Sequence, residues 1–411
     1  MLMKASTGSL RMQNRGIVLS ALRRLGAVSH TEISEWSGLS SATISAITTE
    51  LEKENILQRV EQAPASGRGR PRVKLQQNPD AAYVATIRIT SEIIQYSLID
   101  YSGILKDRFE EKRPPEEKDV EAFCQRLKAG LERLADRSKL DHGRVLTISI
   151  ATKGLVTRGK PELSWSPVFE NQTIDFEALL SKDWPGQIRL TNDTQFAAQA
   201  IMRNNLANPS NQEKRQIAVL SLNHSIGLGI ATQEPDGRIT AFAPPFGHMM
   251  HINDGPICRC GSHGCIEAFA GYYGILRTAF EVDKNIIPAK FIPSSEIEKI
   301  AMRARQGDRK SEYAFRMAGE AIGIGIGRLL TLLGPMPIAI TGAGISYYDL
   351  IQDAILNGVR NNLQIRRERM PDISLHPDES ELIFYGNAQS CLSDLDNNII
   401  ADRTALYWKQ T

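Results

Sequence analysis

One histidine and three cysteines stand at short, fixed intervals in a single stretch. It runs from Gly247-His248 to Cys258-Arg259-Cys260-Gly261-Ser262-His263-Gly264-Cys265-Ile266-Glu267, with nine, one and four residues between successive members of the set. Thiolates and an imidazole are the ligand set of a closed tetrahedral zinc site. The glycines between the cysteines let the backbone fold tightly enough for three sulfurs to face one point. The spacing predicts one structural zinc per chain, held by His248, Cys258, Cys260 and Cys265. His263 is an alternative to His248, and His251 a weaker one. A disulfide cluster or three buried free thiols are the competing readings, and metal-type spacing in a chain without export features favours zinc. Four protein ligands leave no open position, so the ion braces the loop and takes no part in catalysis. Glu267 puts a carboxylate beside this knuckle.

The rest of the composition bounds the class. The chain has 411 residues with 42% hydrophobic content, enough for a small domain beside a larger one. No run of about 18 uncharged apolar residues occurs, so no transmembrane helix is expected. The N-terminus has no apolar signal core, and Cys124 and Cys391 read as ordinary buried thiols. A cytoplasmic protein with no membrane partner follows. The net charge of +2 hides an asymmetry: residues 1–75 carry 11 Lys+Arg against 6 Asp+Glu, hence +5, which leaves −3 for the remainder. A basic head on a slightly acidic body points to a nucleic-acid partner for the head alone.

Three helical patterns open the chain. Asn14 to Leu25 places Ile17, Val18, Ala21, Leu22 and Leu25 on one face, with Arg23 and Arg24 off it. Thr31 can cap a short helix with Ile33 and Trp36 inward, and a turn at Gly38 leads to a third helix capped by Ser40 or Ser41. This is a helix-turn-helix. Ser41, Thr43, Ser45, Thr48 and Thr49 offer small hydroxyls that can approach base edges and phosphates of double-stranded DNA. Asn55 suits a left-handed C-terminal cap. "ILQRV" and "RVKLQ" then read as the strands of a wing. Arg68, Arg70 and Arg72 at its Gly/Pro-rich tip suit insertion into a narrow minor groove, with a solvated basic linker as the other reading.

Beyond residue 78, strands alternate with helices, which implies an α/β body. "AYVATIRITSEIIQYSLIDYSG" reads as two strands meeting near Glu92, and "QIAVLSLNHSIGLGIATQEPDGRIT" as a hairpin. Asp119–Ser138 and Ser311–Leu333 read as helices. No internal sequence repeat is evident.

The stretch "GHMMHINDGPICRCGSHGCIE" resembles the signature of the ROK family of sugar kinases and sugar-responsive repressors. In that family the knuckle runs Cys-x-Cys-Gly-x-x-Gly-Cys-x-Glu after a Glu-x-Gly-His. "SLRMQNRGIVLSALRR" is similar to the winged N-terminal module of the ROK repressors, which the kinases lack. The resemblance implies a ribonuclease H-like, actin/hexokinase-like body of two lobes with a cleft between them. "LTNDTQFAAQA" resembles the family's sugar-binding stretch, so Asn192 and Asp193 fall where sugar hydroxyls are held and where the kinases keep their base. A plain Asx-type helix cap is the alternative for the same residues. His248 and Glu267 match further sugar-pocket positions, and Lys153-Gly154 lies where the family has a loop over the sugar.

The departures from the family are concentrated on the phosphate side. Its Asp-x-Gly-Gly-Thr is Arg88-Ile89-Thr90-Ser91-Glu92 here, and its second glycine-rich loop keeps only Gly227 and Gly229 of Asn223–Gly229. A kinase needs glycine turns around phosphate and a metal-phosphate anchor. Pro245 stands where the family has a sugar-contacting Glu. The expected protein is therefore not an enzyme. It is a cytoplasmic regulator, a repressor of sugar genes, with a winged head over residues 1–78 and a sensing and dimerising body over 79–411. The effector is a sugar or sugar derivative held by Asn192, Asp193, His248, Glu267 and Gly154, and the assembly is a homodimer or tetramer on operator DNA. An active sugar kinase with an added head, or a body that docks a protein in place of a sugar, are the alternatives.

Overall fold

The structure, a computed structural model, describes residues 7–62, 72–114, 119–167, 169, 172–207, 215–235, 237–289, 291–361, 363–367 and 369–400. The chain opens with helices α1 (Thr7–Leu25), α2 (His30–Ser37) and α3 (Ser41–Lys53) and the antiparallel hairpin β1 (Leu57–Gln62) and β2 (Arg72–Gln77). Ser29 caps α2, not Thr31: its hydroxyl accepts the Glu32 N–H while the Glu32 carboxylate accepts the Ser29 N–H at 2.7 Å. This reciprocal pairing satisfies two backbone donors at once. Ser40 caps α3, and Asn55 takes φ 57 just beyond its end, as the sequence suggested. Two expectations for side-chain direction fail. Trp36 is 41% exposed, and Leu25 is exposed while Leu19 is buried. The reason for the second is that α1 carries another buried face, turned toward the end of the chain.

The body contains two sheets of the same plan. The first lobe has the meander β3 (Tyr83–Ile89), β4 (Ile93–Asp100), β5 (Leu105–Lys112), then α4 (Val120–Ser138) and β6 (Val145–Thr152). A small sheet of β7 (Leu155–Val156), β8 (Glu162–Trp165) and β9 (Ile174–Asp175), with α5 (Phe176–Leu180), precedes β10 (Gln187–Asn192). Helix α6 (Asp193–Ala207) crosses to the second lobe, with β11 (Gln216–Leu222), β12 (Ile226–Gln233) and β13 (Ile239–Phe242). Helices α7 (Glu267–Ala270), α8 (Tyr272–Ala279), α9 (Ser294–Arg305) and α10 (Arg309–Leu333) follow. The chain ends with β14 (Ile338–Thr341), α11 (Tyr348–Arg360), α12 (Leu363–Arg367), β15 (Ile373–His376) and α13 (Glu379–Ile400).

Strand order is β10-β6-β3-β4-β5 in the first sheet and β13-β12-β11-β14-β15 in the second. Each sheet is an antiparallel three-strand meander extended by two parallel strands beside its first strand. The duplication invisible in the sequence is plain in the topology. β3, β4 and β6 are buried along nearly their whole length because helices cover both faces of the sheet. α4 puts Phe123, Leu127, Leu131 and Leu134 on one such face. Between the two sheets lie α6 and the start of α13, with Phe196, Ile201 and Ile383 packed against Ala151, Val219 and Ala339. The cleft opens where β6, β10, β12 and the N-termini of α6 and α13 meet.

Head and body share one buried cluster. Val18, Leu22, Ile33, Ile44 and Leu51 of the head pack in the same group as Val84 and Tyr101 of the first lobe and Cys391, Leu392, Leu395 and Ile399 of α13. Among the described residues no helix is long and apolar enough to cross a membrane.

Candidate functional site

The local fold builds the cleft from chain reversals at strand ends. β10 ends at Asn192 and α6 begins at Asp193 with no intervening loop, so strand and helix meet at the cleft floor. Asn192 makes the join: its Oδ1 accepts the Thr194 N–H at 3.1 Å and the Thr194 hydroxyl at 2.7 Å. Its Nδ2 donates to the Gly154 carbonyl at 3.0 Å, which ties down the loop after β6. Gly154 has φ +135, and a Cβ there would lie 2.3 Å from the Trp165 carbonyl, so no other residue fits this turn without a shift. Gly229, one of the two glycines surviving from the second phosphate loop, serves packing: a Cβ on it would meet the Thr194 carbonyl at 2.1 Å.

Asp193 is the group left open. It is 1% exposed, it lines the cavity, and among the described residues neither carboxylate oxygen has a hydrogen-bond partner, the nearby Thr194 N–H being donated to Asn192. Burial raises its pKa above the ordinary aspartate value, against the opposing pull of Lys153. The same cavity is lined by Gly154, Trp165, Asn192, Pro245, His248 and Glu267, so the five residues expected to hold an effector share one wall. Glu267 is already engaged, accepting the Ile226 N–H at 3.1 Å and the Tyr273 hydroxyl at 3.2 Å. The Trp165 ring stands edge-on to His248 with centroids 5.1 Å apart. Lys153, beside Gly154 in the loop that the family resemblance set over the sugar, and Trp165, at the end of β8, also line the cavity. The cavity measures about 50 Å³.

The knuckle forms the wall behind this pocket. One ligand atom each from His248, Cys258, Cys260 and Cys265 lies within 4.8 Å of the others. His248 Nδ1 is 3.5 Å from Cys258 Sγ, and Cys260 Sγ is 3.7 Å from Cys265 Sγ. His263 is directed to the Gly255 carbonyl at 3.1 Å and His251 packs edge-on to Phe269, so neither belongs to the group. Three thiols and an imidazole converging in this way fit a tetrahedral soft-metal site. Tyr273 hydroxyl lies 3.2 Å from Cys258 Sγ as well as beside Glu267, which couples the knuckle to the pocket carboxylate.

On the other side of Lys153 is a larger cavity of about 300 Å³, lined by Arg88, Glu92, Lys153, His224, Arg259 and Glu379 among others. Here Arg88, in the place of the expected phosphate anchor, donates to Glu379 Oε2 at 3.1 Å. Asn223 Nδ2 lies 3.0 Å from both Glu379 oxygens, and the Ser221 hydroxyl bonds the same carboxylate. Burial alone would raise the Glu379 pKa, but Lys153, Arg88 and these hydrogen bonds outweigh it and hold the group below the ordinary glutamate value. His224 is pushed down to about 3 by burial and by Arg259 and accepts the Ile292 N–H at 2.8 Å as a neutral ring. A protein carboxylate thus occupies the donors of Arg88 and Asn223. Glu379 lies at the far end of the sequence and carried no local motif.

In the head, Ser41 and Ser45 are exposed on α3 and Thr43 is half-buried, its hydroxyl 2.9 Å from Ser40. Thr48 departs from expectation. It is 1% exposed, bonded to the Ile44 carbonyl and to His30 Nε2 at 2.9 Å each, because its position on α3 faces α2. It is not part of the outward hydroxyl row. Arg72 opens β2, while Arg68 and Arg70 lie outside the described residues.

Two duplicated lobes enclosing a polar cleft, below an N-terminal helical head, define a protein of the actin/hexokinase-like class. The sequence matches the ROK family over residues 84–380, more than half of its length, and the chain belongs to that family. It is 24% identical over 358 residues to a xylose repressor of Bacillus spizizenii, covering 86% of this chain and 87% of the relative. A solved ROK family transcriptional regulator, described as a homologue of the Escherichia coli Mlc protein, superposes with a TM-score of 0.72 at 21% identity, over 98% of this chain and 100% of the other. A ROK glucokinase from Streptomyces griseus, solved with glucose and AMPPNP, gives 0.55 at 19% identity, over 75% of this chain and 99% of its own.

Proposed function

We propose that the protein is a DNA-binding transcriptional repressor that senses a sugar and does not phosphorylate it. One observation carries this reading: among the described residues the buried Asp193 carboxylate has no hydrogen-bond partner in its cavity, while the donors beside segments 88–92 and 223–229 are taken by the protein's own Glu379. The first feature suits a ligand with hydroxyl donors, since a buried acceptor without a partner costs free energy until one is supplied. The second leaves a nucleotide phosphate facing an occupied, anionic site. The likeness to a xylose repressor along most of both chains supports a pentose or hexose as effector.

In this reading residues 1–78 bind the operator and residues 79–411 sense and dimerise. Ser41 and Ser45 on α3 face the major groove, with Thr43 at its edge. Arg68, Arg70 and Arg72 reach the neighbouring minor groove, and a two-fold dimer reads an inverted repeat. Asn192 and Gly154 shape the floor, and Asp193, His248 and Glu267 face the sugar. His248, Cys258, Cys260 and Cys265 hold one zinc ion, which supplies a rigid pocket wall and no chemistry. A DNA-binding role places the protein in the cytoplasm.

The test begins with duplexes selected from a random pool by the full chain. Adding D-xylose or D-glucose is expected to change duplex affinity at least about tenfold, a coupling of only ~1.4 kcal/mol. No sugar-dependent ADP release is expected with ATP and magnesium. Sugar-dependent ADP release that Asp193→Asn abolishes overturns the reading in favour of a kinase. A separate prediction concerns the wing. Replacing Arg68, Arg70 and Arg72 together with Ala should weaken duplex binding and flatten the slope of log affinity against log salt by about three, roughly one for each lost phosphate-like contact. An unchanged slope removes the wing from the interface.

A further inference from the structure

One helix joins the cleft to the head. α13 has 22 residues, about 33 Å at the rise of an α-helix. Its first residue, Glu379, is the carboxylate held by Arg88 of the first lobe and by Ser221 and Asn223 of the second. Two turns on, Gly386 lies against α6: a Cβ there would meet the Phe196 carbonyl at 2.0 Å, so the two helices touch backbone to side-chain-free backbone. α6 is the helix that starts at Asp193. Asn387 then reaches the Ser149 carbonyl of β6 at 3.3 Å. At the far end Asp396 accepts a two-pronged contact from Arg23 of α1, at 2.8 and 3.0 Å, and the Tyr101 hydroxyl at 2.6 Å. Leu392, Leu395 and Ile399 complete the join inside the cluster that contains Val18 and Leu22.

We propose that α13 transmits the state of the cleft to the DNA-binding head, with Glu379 as its latch. The latch draws its donors from both lobes. Parting the lobes removes either Arg88 or the Ser221/Asn223 pair and leaves a buried carboxylate short of partners, which is costly enough to dislodge it. Movement of α6 acts on the same helix at Gly386, where no side chain cushions the contact and close-packed backbones shift together. From Gly386 to Asp396 is about 15 Å along the axis, so a tilt of about 10° displaces Asp396 by about 2.6 Å. A two-pronged Arg–carboxylate contact does not survive that displacement in its present geometry. Two packings of α13, latched and released, give the head two positions. The proposal rests on the DNA-binding reading of the head and requires no knowledge of the effector.

The experiment uses the full chain without sugar. Amide hydrogen exchange along α1 and affinity for the selected duplex are measured for wild type, Glu379→Gln, Gly386→Ala and Asp396→Asn. Glu296→Gln, which breaks only an exposed pair with Lys299 on α9, is the comparison. Glu379→Gln and Gly386→Ala are expected to speed exchange in α1 and weaken duplex binding about fivefold or more, as Asp396→Asn does from the near end, while Glu296→Gln does neither. Should Gly386→Ala fail to fold, Glu379→Gln alone decides. A cooperatively folded Glu379→Gln with α1 exchange and duplex affinity within about twofold of wild type overturns the proposal, even if Asp396→Asn has an effect. If wild type selects no duplex, the DNA-binding reading falls and the exchange measurement still tests the relay.

Discussion

A Cys260→Ser variant is expected to lose most of its bound metal and to melt well below the wild type. Assembling a tetrahedral zinc site is worth roughly 10–16 kcal/mol at neutral pH, so each of four ligands carries about 2.5–4 kcal/mol, about 60- to 800-fold in affinity. The loop has little regular secondary structure, its β-type pairings among the described residues being the isolated bridges Met250–Cys265 and Ile257–His263. Backbone bonds such as His251 N–H to the Gly264 carbonyl at 2.7 Å and Cys258 N–H to the Ser262 carbonyl at 2.8 Å also tie it down. The ion would brace packing that Cys258, Cys265 and Ile266 already make in the second lobe's hydrophobic core. A melting temperature lower by about 5 °C or more follows from that share of the binding energy. The pocket should fail with it, because Tyr273 sits between Cys258 and Glu267 at 3.2 Å from each. Cys391→Ser, buried on α13 away from the knuckle, should leave metal content unchanged. Elemental analysis of protein prepared without chelators decides the matter: absence of zinc together with freely titratable thiols refutes the assignment.

How much of this could be read from the residues follows from sequence distance. The four members of the knuckle lie within 18 residues of one another, and their convergence could be inferred from spacing alone. The join at Asn192-Asp193 was equally local: the cap reading is seen in the Asn192–Thr194 bond, and the pair lines the cavity in which a sugar is proposed. Pairings between distant segments were beyond reach. Arg88 could be seen to be wrong for a phosphate anchor, but its partner stands 291 residues away at the head of a helix with no distinguishing motif. The same holds for Arg23 and Asp396, 373 residues apart. Thr48 misled because a helix three or four turns long presents small hydroxyls on every side. Only the position of α2, with His30 over Thr48, decides which side faces out. The two lobes were expected from the family resemblance and not from any internal repeat, because strand order is maintained by packing, with no need for similar residues.

An Asp193→Asn variant is expected to be more stable than the wild type when no sugar is present, and to lose the sugar response. A buried polar atom without a hydrogen bond costs about 1–3 kcal/mol, and more when charged. Asp193 places two such atoms in a cavity at 1% exposure. Asn keeps the shape and removes the charge, so the ligand-free variant should gain about 1 kcal/mol or more near neutral pH. The pH dependence gives the sign a second check. Burial raises the folded-state pKa of Asp193 above its ordinary value of 3.8, so the folded protein holds this proton more tightly than the unfolded chain. The cost of the ionised group is therefore fully present above the raised pKa and fades as pH falls toward 3.8. The advantage of the Asp193→Asn variant should shrink over that interval. Glu379 runs the other way: its depressed pKa adds stability above its ordinary value of 4.5, lost as pH falls through the lower folded value. The Glu379 charge is itself one cause of the raised Asp193 pKa, so the variant's difference from wild type reads the two carboxylates together. Retaining so costly a carboxylate makes sense if a ligand offsets it. Affinity for the responding sugar should fall at least tenfold, ~1.4 kcal/mol, because a hydroxyl donor finds a weaker acceptor in the amide. A variant less stable than wild type at pH 7 that still responds to the sugar at the same midpoint places the effector elsewhere.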